Sequence, residues 1–98
     1  MKEEFPVSNN YQNIVVAVDG STLSDYAFKK AIDVAKRNVG STLHIIHVID
    51  ISVATSFDML YDNMVELIRQ HGEVLLTGCE TQAKDAGLES IKTILTKG

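Results

Sequence analysis

The chain of 98 residues has one cysteine, one proline and no apolar run of membrane-spanning length. A lone Cys79 excludes an internal disulfide framework and fits a reducing compartment. No apolar stretch approaches the ~20 residues that a membrane helix needs. The opening Met1-Lys2-Glu3-Glu4-Phe5-Pro6 lacks the apolar segment of a secretory signal, so the expected location is cytoplasmic, with no membrane partner. Excess positive charge is also missing. Nine Lys and Arg stand against thirteen Asp and Glu, the net charge is −4, and the basic residues are scattered. That balance argues against nucleic acid as a partner. There is no paired-carboxylate or nucleophile–base constellation, which argues against an enzyme.

What is present looks like one soluble globular domain: 45% of residues are apolar and 22% charged. At this length the core must be compact. Residues 1–12 are polar, hold the only proline and read as a flexible tail, leaving 13–98 as the domain. The informative stretch follows: Asn13-Ile14-Val15-Val16-Ala17-Val18-Asp19-Gly20-Ser21. An uninterrupted apolar strand at 13–18, running into an acid, a glycine and a hydroxyl residue, is how a buried parallel strand ends beside an α/β site. Ser21 is the expected N-cap of the next helix, with Ser24 its competitor. Asp25 then falls in the first turn, where the helix dipole favours an acid.

That helix is expected to run to about Asn38, with Ala27, Ala31 and Ala35 as a small-residue stripe and Gly40 as its C′ stop. A second strand, Thr42–Ile49, is again apolar on both faces. Its His44 and His47 are three apart, so they point to opposite faces and cannot share one metal ion. Asp50 closes this strand as Asp19 closes the first; a divalent ion between them is conceivable, and no metal site is assigned. After an irregular loop at 51–56, a long helical pattern runs from Phe57 or Asp58 to Ala86. Its expected inner face is Leu60, Met64, Leu67, Ile68, His71, Leu75, Cys79, Gln82, Ala83 and Ala86. Gly72 and Gly78 interrupt it, each at ~1 kcal/mol against alanine. Cys79 reads as core rather than nucleophile. Gly87-Leu88 is a Schellman-type stop, and Glu89–Thr96 forms a third strand, polar enough for a sheet edge.

The order β-α-β-α-β predicts a parallel sheet, strand order 3-2-1, with both helices on one face. The first two strands are apolar on both faces, so about five Val, Ile and Ala side chains would face water. Burying each large one is worth ~1.5–3 kcal/mol, and a small domain has only ~5–15 kcal/mol of net stability. The cover for that face must be more chain or a partner, and self-association through the first-strand edge or the bare face is expected.

The segments Tyr11–Ser21, Lys29–Ile32, Val34–Arg37, Leu43–Asp50 and Ile91–Gly98 together resemble the universal stress protein family. The resemblance implies a three-layer Rossmann-like fold, of the adenine nucleotide alpha hydrolase-like kind. Its sheet order is 3-2-1-4-5, of which this chain would hold the first three strands and lack the last two strands and helices. In the family's ATP-binding branch a glycine-rich loop after the fourth strand holds the triphosphate and ribose, and nothing here matches it. The positions carried over by the resemblance are Ala17, Val18, Asp19, Gly20, Ser21 and Val48, the adenine and ribose half of a pocket. The first of these is proline in some relatives.

The expected function is a stress-response regulator of the nucleotide-binding type. ATP, with Mg²⁺, is its implied cofactor, and ATP or AMP binding would be weak or lost in this chain. The alternative is a member that binds no nucleotide and works through homo-oligomerisation or protein partners. An enzyme would be at most a slow ATPase. Asp19 and Ser21 equally admit a purely local role, capping and stabilising the turn.

Overall fold

The computed structural model describes residues 11–50 and 61–97. Most of the expected tail, the loop at 51–56 and the expected helix start at Phe57 or Asp58 lie outside these residues. Three strands and two helices alternate: β1 (Asn13–Ala17), α1 (Thr22–Arg37), β2 (Thr42–Ile49), α2 (Tyr61–Asp85) and β3 (Ile91–Lys97). The sheet is parallel throughout, with β2 between β1 and β3, so the strand neighbours are those expected from the sequence.

Both helices lie on one face of the sheet. Val16 and Val18 from the first strand segment, with Leu43 and Ile45 from β2, join Phe28, Ala31 and Ile32 of α1 and Leu76, Cys79 and Ala83 of α2 in a single buried cluster. Strand periodicity sends the alternate residues to the other face. There Val15 is 62% exposed, Val48 50% and Ile94 40%, with Ala17 exposed and Ile46 half-buried. Among the described residues nothing covers this face; β1 and β2 place four Val, Ile and Ala side chains on it where about five were expected, and Ile94 of β3 stands beside them.

Several local expectations shift. Strand β1 ends at Ala17, although the Val18 N–H still donates to the Ile46 carbonyl at 2.8 Å. Helix α1 is capped by Ser21 and ends at Arg37, with Asn38 as C-cap. Gly40 is therefore one position beyond C′. It is the third residue of a turn closed by the Ser41 N–H on the Asn38 carbonyl, and its φ is 92°. The alanine stripe is shorter than expected: Ala31 and Ala35 are buried, but Ala27 and Val39 are exposed.

Helix α2 passes through Gly72 and Gly78 unbroken. Its inner face is rotated from the expected one. Gly72, Leu76, Cys79 and Ala83 are buried, whereas Leu67, His71 and Gln82 are exposed. The buried stripe runs through Gly72, which a count of apolar side chains passes over. The helix ends in the expected Schellman pattern: Leu88 N–H donates to the Ala83 carbonyl and Gly87 N–H to that of Lys84, with Gly87 at φ 103°. Glu89 and Ser90 complete the return, so β3 starts at Ile91, opposite Leu43, two residues later than expected.

Candidate functional site

The end of β1 is a closed ring of local hydrogen bonds. The Ser21 N–H donates to Asp19 Oδ1 at 2.9 Å, an Asx turn. The Asp19 N–H donates to Ser24 Oγ at 3.1 Å, and the Ser24 N–H donates to Ser21 Oγ at 3.1 Å. Ser21 thus caps α1 in the usual way, satisfying one of the unpaired amides of its first turn. Gly20 sits at φ 84°, a backbone conformation that only glycine adopts without strain. Hydrogen bonding to Ser21, through hydroxyl and backbone, and then to Ser24 holds the Asp19 carboxyl below its ordinary pKa of 3.8. The side chain is exposed, negatively charged and fixed in direction.

The six residues singled out in the sequence divide into three groups. Ala17 and Val48 are exposed at the carboxyl ends of β1 and β2, on the uncovered face; Ala17 pairs with Ile46, and Val48 follows two residues later on the same side. Val18 has its side chain in the core, its N–H on Ile46 and its carbonyl on the His47 ring, so it holds the strand end in place. Asp19, Gly20 and Ser21 form the turn between.

On the helix-covered side, an open cleft of about 490 Å³ separates the first turn of α1 from the middle of α2. Val18, Gly20, Ser21, Asp25, Cys79 and Gln82 are among its lining. Burial, and secondarily the charge of Asp25, pushes the Cys79 thiol up, away from the thiolate that nucleophilic chemistry needs. Ser24 is the residue whose part the sequence did not reveal. Its spacing of three from Ser21 is a capping signal, but its bond back to Asp19 depends on how the turn closes.

The two histidines separate as strand alternation requires. His44 Nε2 is hydrogen-bonded to Asn13 Oδ1 at 3.0 Å, and His47 Nδ1 donates to the Val18 carbonyl at 2.7 Å. Among the described residues no group of three or more His, Cys, Asp or Glu side chains is arranged to hold a metal ion. Nor is any described helix long and apolar enough to cross a membrane.

This geometry can be set against known proteins. The profile of the universal stress protein family matches residues 10–98. The chain belongs to that family. A universal stress protein homologue of Staphylococcus haemolyticus is 40% identical over 88 residues, which is 90% of this chain and 53% of the relative. One from Staphylococcus epidermidis is 38% identical over 89 residues, 91% of this chain and 53% of its own length. The chain thus spans about half the length of the curated relatives it matches. Among solved structures, universal stress protein UspA from Lactobacillus plantarum superposes with a TM-score of 0.78 at 22% identity, covering 93% of this chain and 63% of that one. A universal stress protein family member from Burkholderia pseudomallei gives 0.75 at 23% identity, covering 90% of this chain and 64% of that one. At such identities the structures support the Rossmann-like α/β fold alone, which the universal stress protein architecture shares.

Proposed function

We propose that the carboxyl edge of β1 and β2 is the adenine and ribose half of an ATP site in a stress-response regulator. The observation that carries this reading is that Ala17, Asp19 and Val48 are all exposed at the carboxyl ends of adjacent parallel strands, where open α/β sheets bind ligands. Val48 and Ala17 offer an apolar wall for a flat base. The Asp19 carboxylate, ionised and aimed by Ser21, accepts from a ribose hydroxyl. Gly20 has no Cβ, so the ligand can approach the backbone closely. Mg²⁺ would arrive on the phosphates of the nucleotide. The chain's role is to bind and report rather than to turn substrate over, and its working place is the cytoplasm.

Binding to these 98 residues alone is weak, because they carry groups for base and sugar but no glycine-rich phosphate loop. Calorimetric titration with ATP and Mg²⁺ tests this. The expected affinity is in the millimolar range, about −4 kcal/mol, and it is abolished in Asp19→Asn. Micromolar binding would contradict the half-site, and binding indifferent to Asp19→Asn would remove Asp19 from it.

A second reading, a member acting through self-association, is favoured by one feature: the apolar face of Val15, Ala17, Ile46, Val48 and Ile94. Contiguous apolar surface rimmed by polar residues marks an interaction site. Sedimentation velocity tests it; a monomer across the micromolar range would dismiss it.

A further inference from the structure

We propose that the Asp19–Gly20 pair is a site of spontaneous rearrangement to isoaspartate, held off in the folded chain by the hydrogen-bonded ring around Asp19. It is the one place in the 98 residues where glycine follows an aspartate or asparagine. The turn itself calls for the pair. Residue 20 has φ 84°, a conformation that suits glycine, and the Ser21 N–H takes the Asp19 carboxylate as its acceptor.

The rearrangement needs no co-reactant but water. The Gly20 amide nitrogen attacks Asp19 Cγ; a C–N bond forms, a C–O bond breaks, and the amide proton leaves with the carboxyl hydroxyl as water. Glycine favours this step because no Cβ stands beside the attacking nitrogen. Water then opens the five-membered imide. Breaking the Cγ–N bond returns aspartate. Breaking the bond between the nitrogen and the Asp19 main-chain carbonyl carbon leaves the chain running through Cβ and Cγ, with the carboxylate on Cα.

The ring opposes the first step in two ways. Closing the imide swings Cγ over the Gly20 nitrogen, away from any staggered rotamer. In the folded chain Oδ1 is tied to the Ser21 N–H at 2.9 Å, and the Asp19 N–H is tied to Ser24 Oγ at 3.1 Å. Ser24 is itself anchored, through its N–H, to Ser21 Oγ in the cap of α1. The reacting atoms are thereby held out of alignment. Attack also needs a neutral carboxyl, and the same hydrogen bonds favour the charged one. Isoaspartate would withdraw the Ser21 acceptor and lengthen the main chain between β1 and α1. The chemistry is independent of the nucleotide reading, although it would remove the carboxylate assigned to ribose.

Ageing the chain for several weeks at neutral pH and physiological temperature tests this. Digestion with a protease that cuts before aspartate but not before isoaspartate reads residue 19. Chain aged in urea should lose the cut, and native chain should lose it slower by about tenfold or more. Ser21→Pro removes the donor to Oδ1 at a φ of −79° that already suits proline. Ser24→Ala removes the acceptor of the Asp19 N–H. Either variant, folded by circular dichroism, should age several-fold faster than the parent. Ala83→Gly weakens α2 without touching the ring and should age as the parent does. An intact cut in urea would overturn the site. A native rate equal to that in urea, the parent rate in both ring variants, or equal acceleration in Ala83→Gly would overturn protection by the ring.

Discussion

Gly72 of α2 lies directly over His47 of β2, so close that a Cβ at residue 72 would stand 2.8 Å from the imidazole Cδ2 and equally near Leu95 Cδ1. The ring has little freedom to yield, because its Nδ1 donates to the Val18 carbonyl, immediately before Asp19. The absence of a side chain at residue 72 therefore lets α2 press on the strand that locates the turn.

Replacing that glycine should be costly although alanine is the better helix former. Overpacking costs ~1–3 kcal/mol, against ~1 kcal/mol gained in helix propensity. Gly72→Ala should lose up to about 2 kcal/mol in urea denaturation. Gly78→Ala should gain up to ~1 kcal/mol, since nothing lies within 4 Å of a Cβ there. Equal effects at the two glycines would refute the close approach.

Removing the cap hydroxyl with Ser21→Ala should cost ~1 kcal/mol of stability, because the Ser24 amide loses its acceptor. The same change should raise the Asp19 pKa toward its ordinary value, since hydrogen bonding to Ser21 is the largest cause of its depression. NMR titration of the carboxyl carbon reads that shift directly.

The pH dependence has a defined sign. A carboxyl whose folded pKa lies below the unfolded value stabilises the fold above that unfolded value, and the benefit is lost as pH falls through the folded pKa. Stability contributed by Asp19 should therefore be intact above about pH 4 and decline below the ordinary value of 3.8. Asp19→Asn should be less stable at neutral pH and show a flatter acid limb in denaturation. An acid limb identical to that of the parent chain would show that the charge of the Asp19 carboxylate adds nothing to the turn.

Thiol reactivity checks the core. Cys79 is buried in the cluster with Leu76 and Ala83, and its thiol is pushed up by that burial. It should react with an aromatic disulfide reagent far more slowly in the native chain than in urea. Rapid native labelling would mean that the cleft between α1 and α2 reaches the sulfur freely.

The legible parts of the fold were those where one pattern dominates. Thr42–Ile49 matches its expected bounds because eight residues of strand formers end sharply at Asp50, and the uncovered face followed from β1 and β2 being apolar on both sides. The inner face of α2 was misread by a rotation, since Gly72 marks the closest packing with no side chain to announce it. The start of β3 slipped because Glu89 and Ser90 are spent on the return from the helix. At the site, Asp19-Gly20-Ser21 declared a turn, but the assignment of Val18 to the helix side and Ala17 to the open side needed the register. The bond from the Asp19 N–H to Ser24 Oγ needed the closed ring.

Residue-resolved NMR of the 98-residue chain, titrated with ATP and Mg²⁺, tests the central claim most directly. The account predicts progressive, unsaturated shifts into the millimolar range at Ala17, Asp19, Gly20 and Val48, with little change at the α1–α2 cleft residues Val74 and Gln82. Shifts centred on that cleft, or none at the carboxyl edge of β1 and β2, would contradict it.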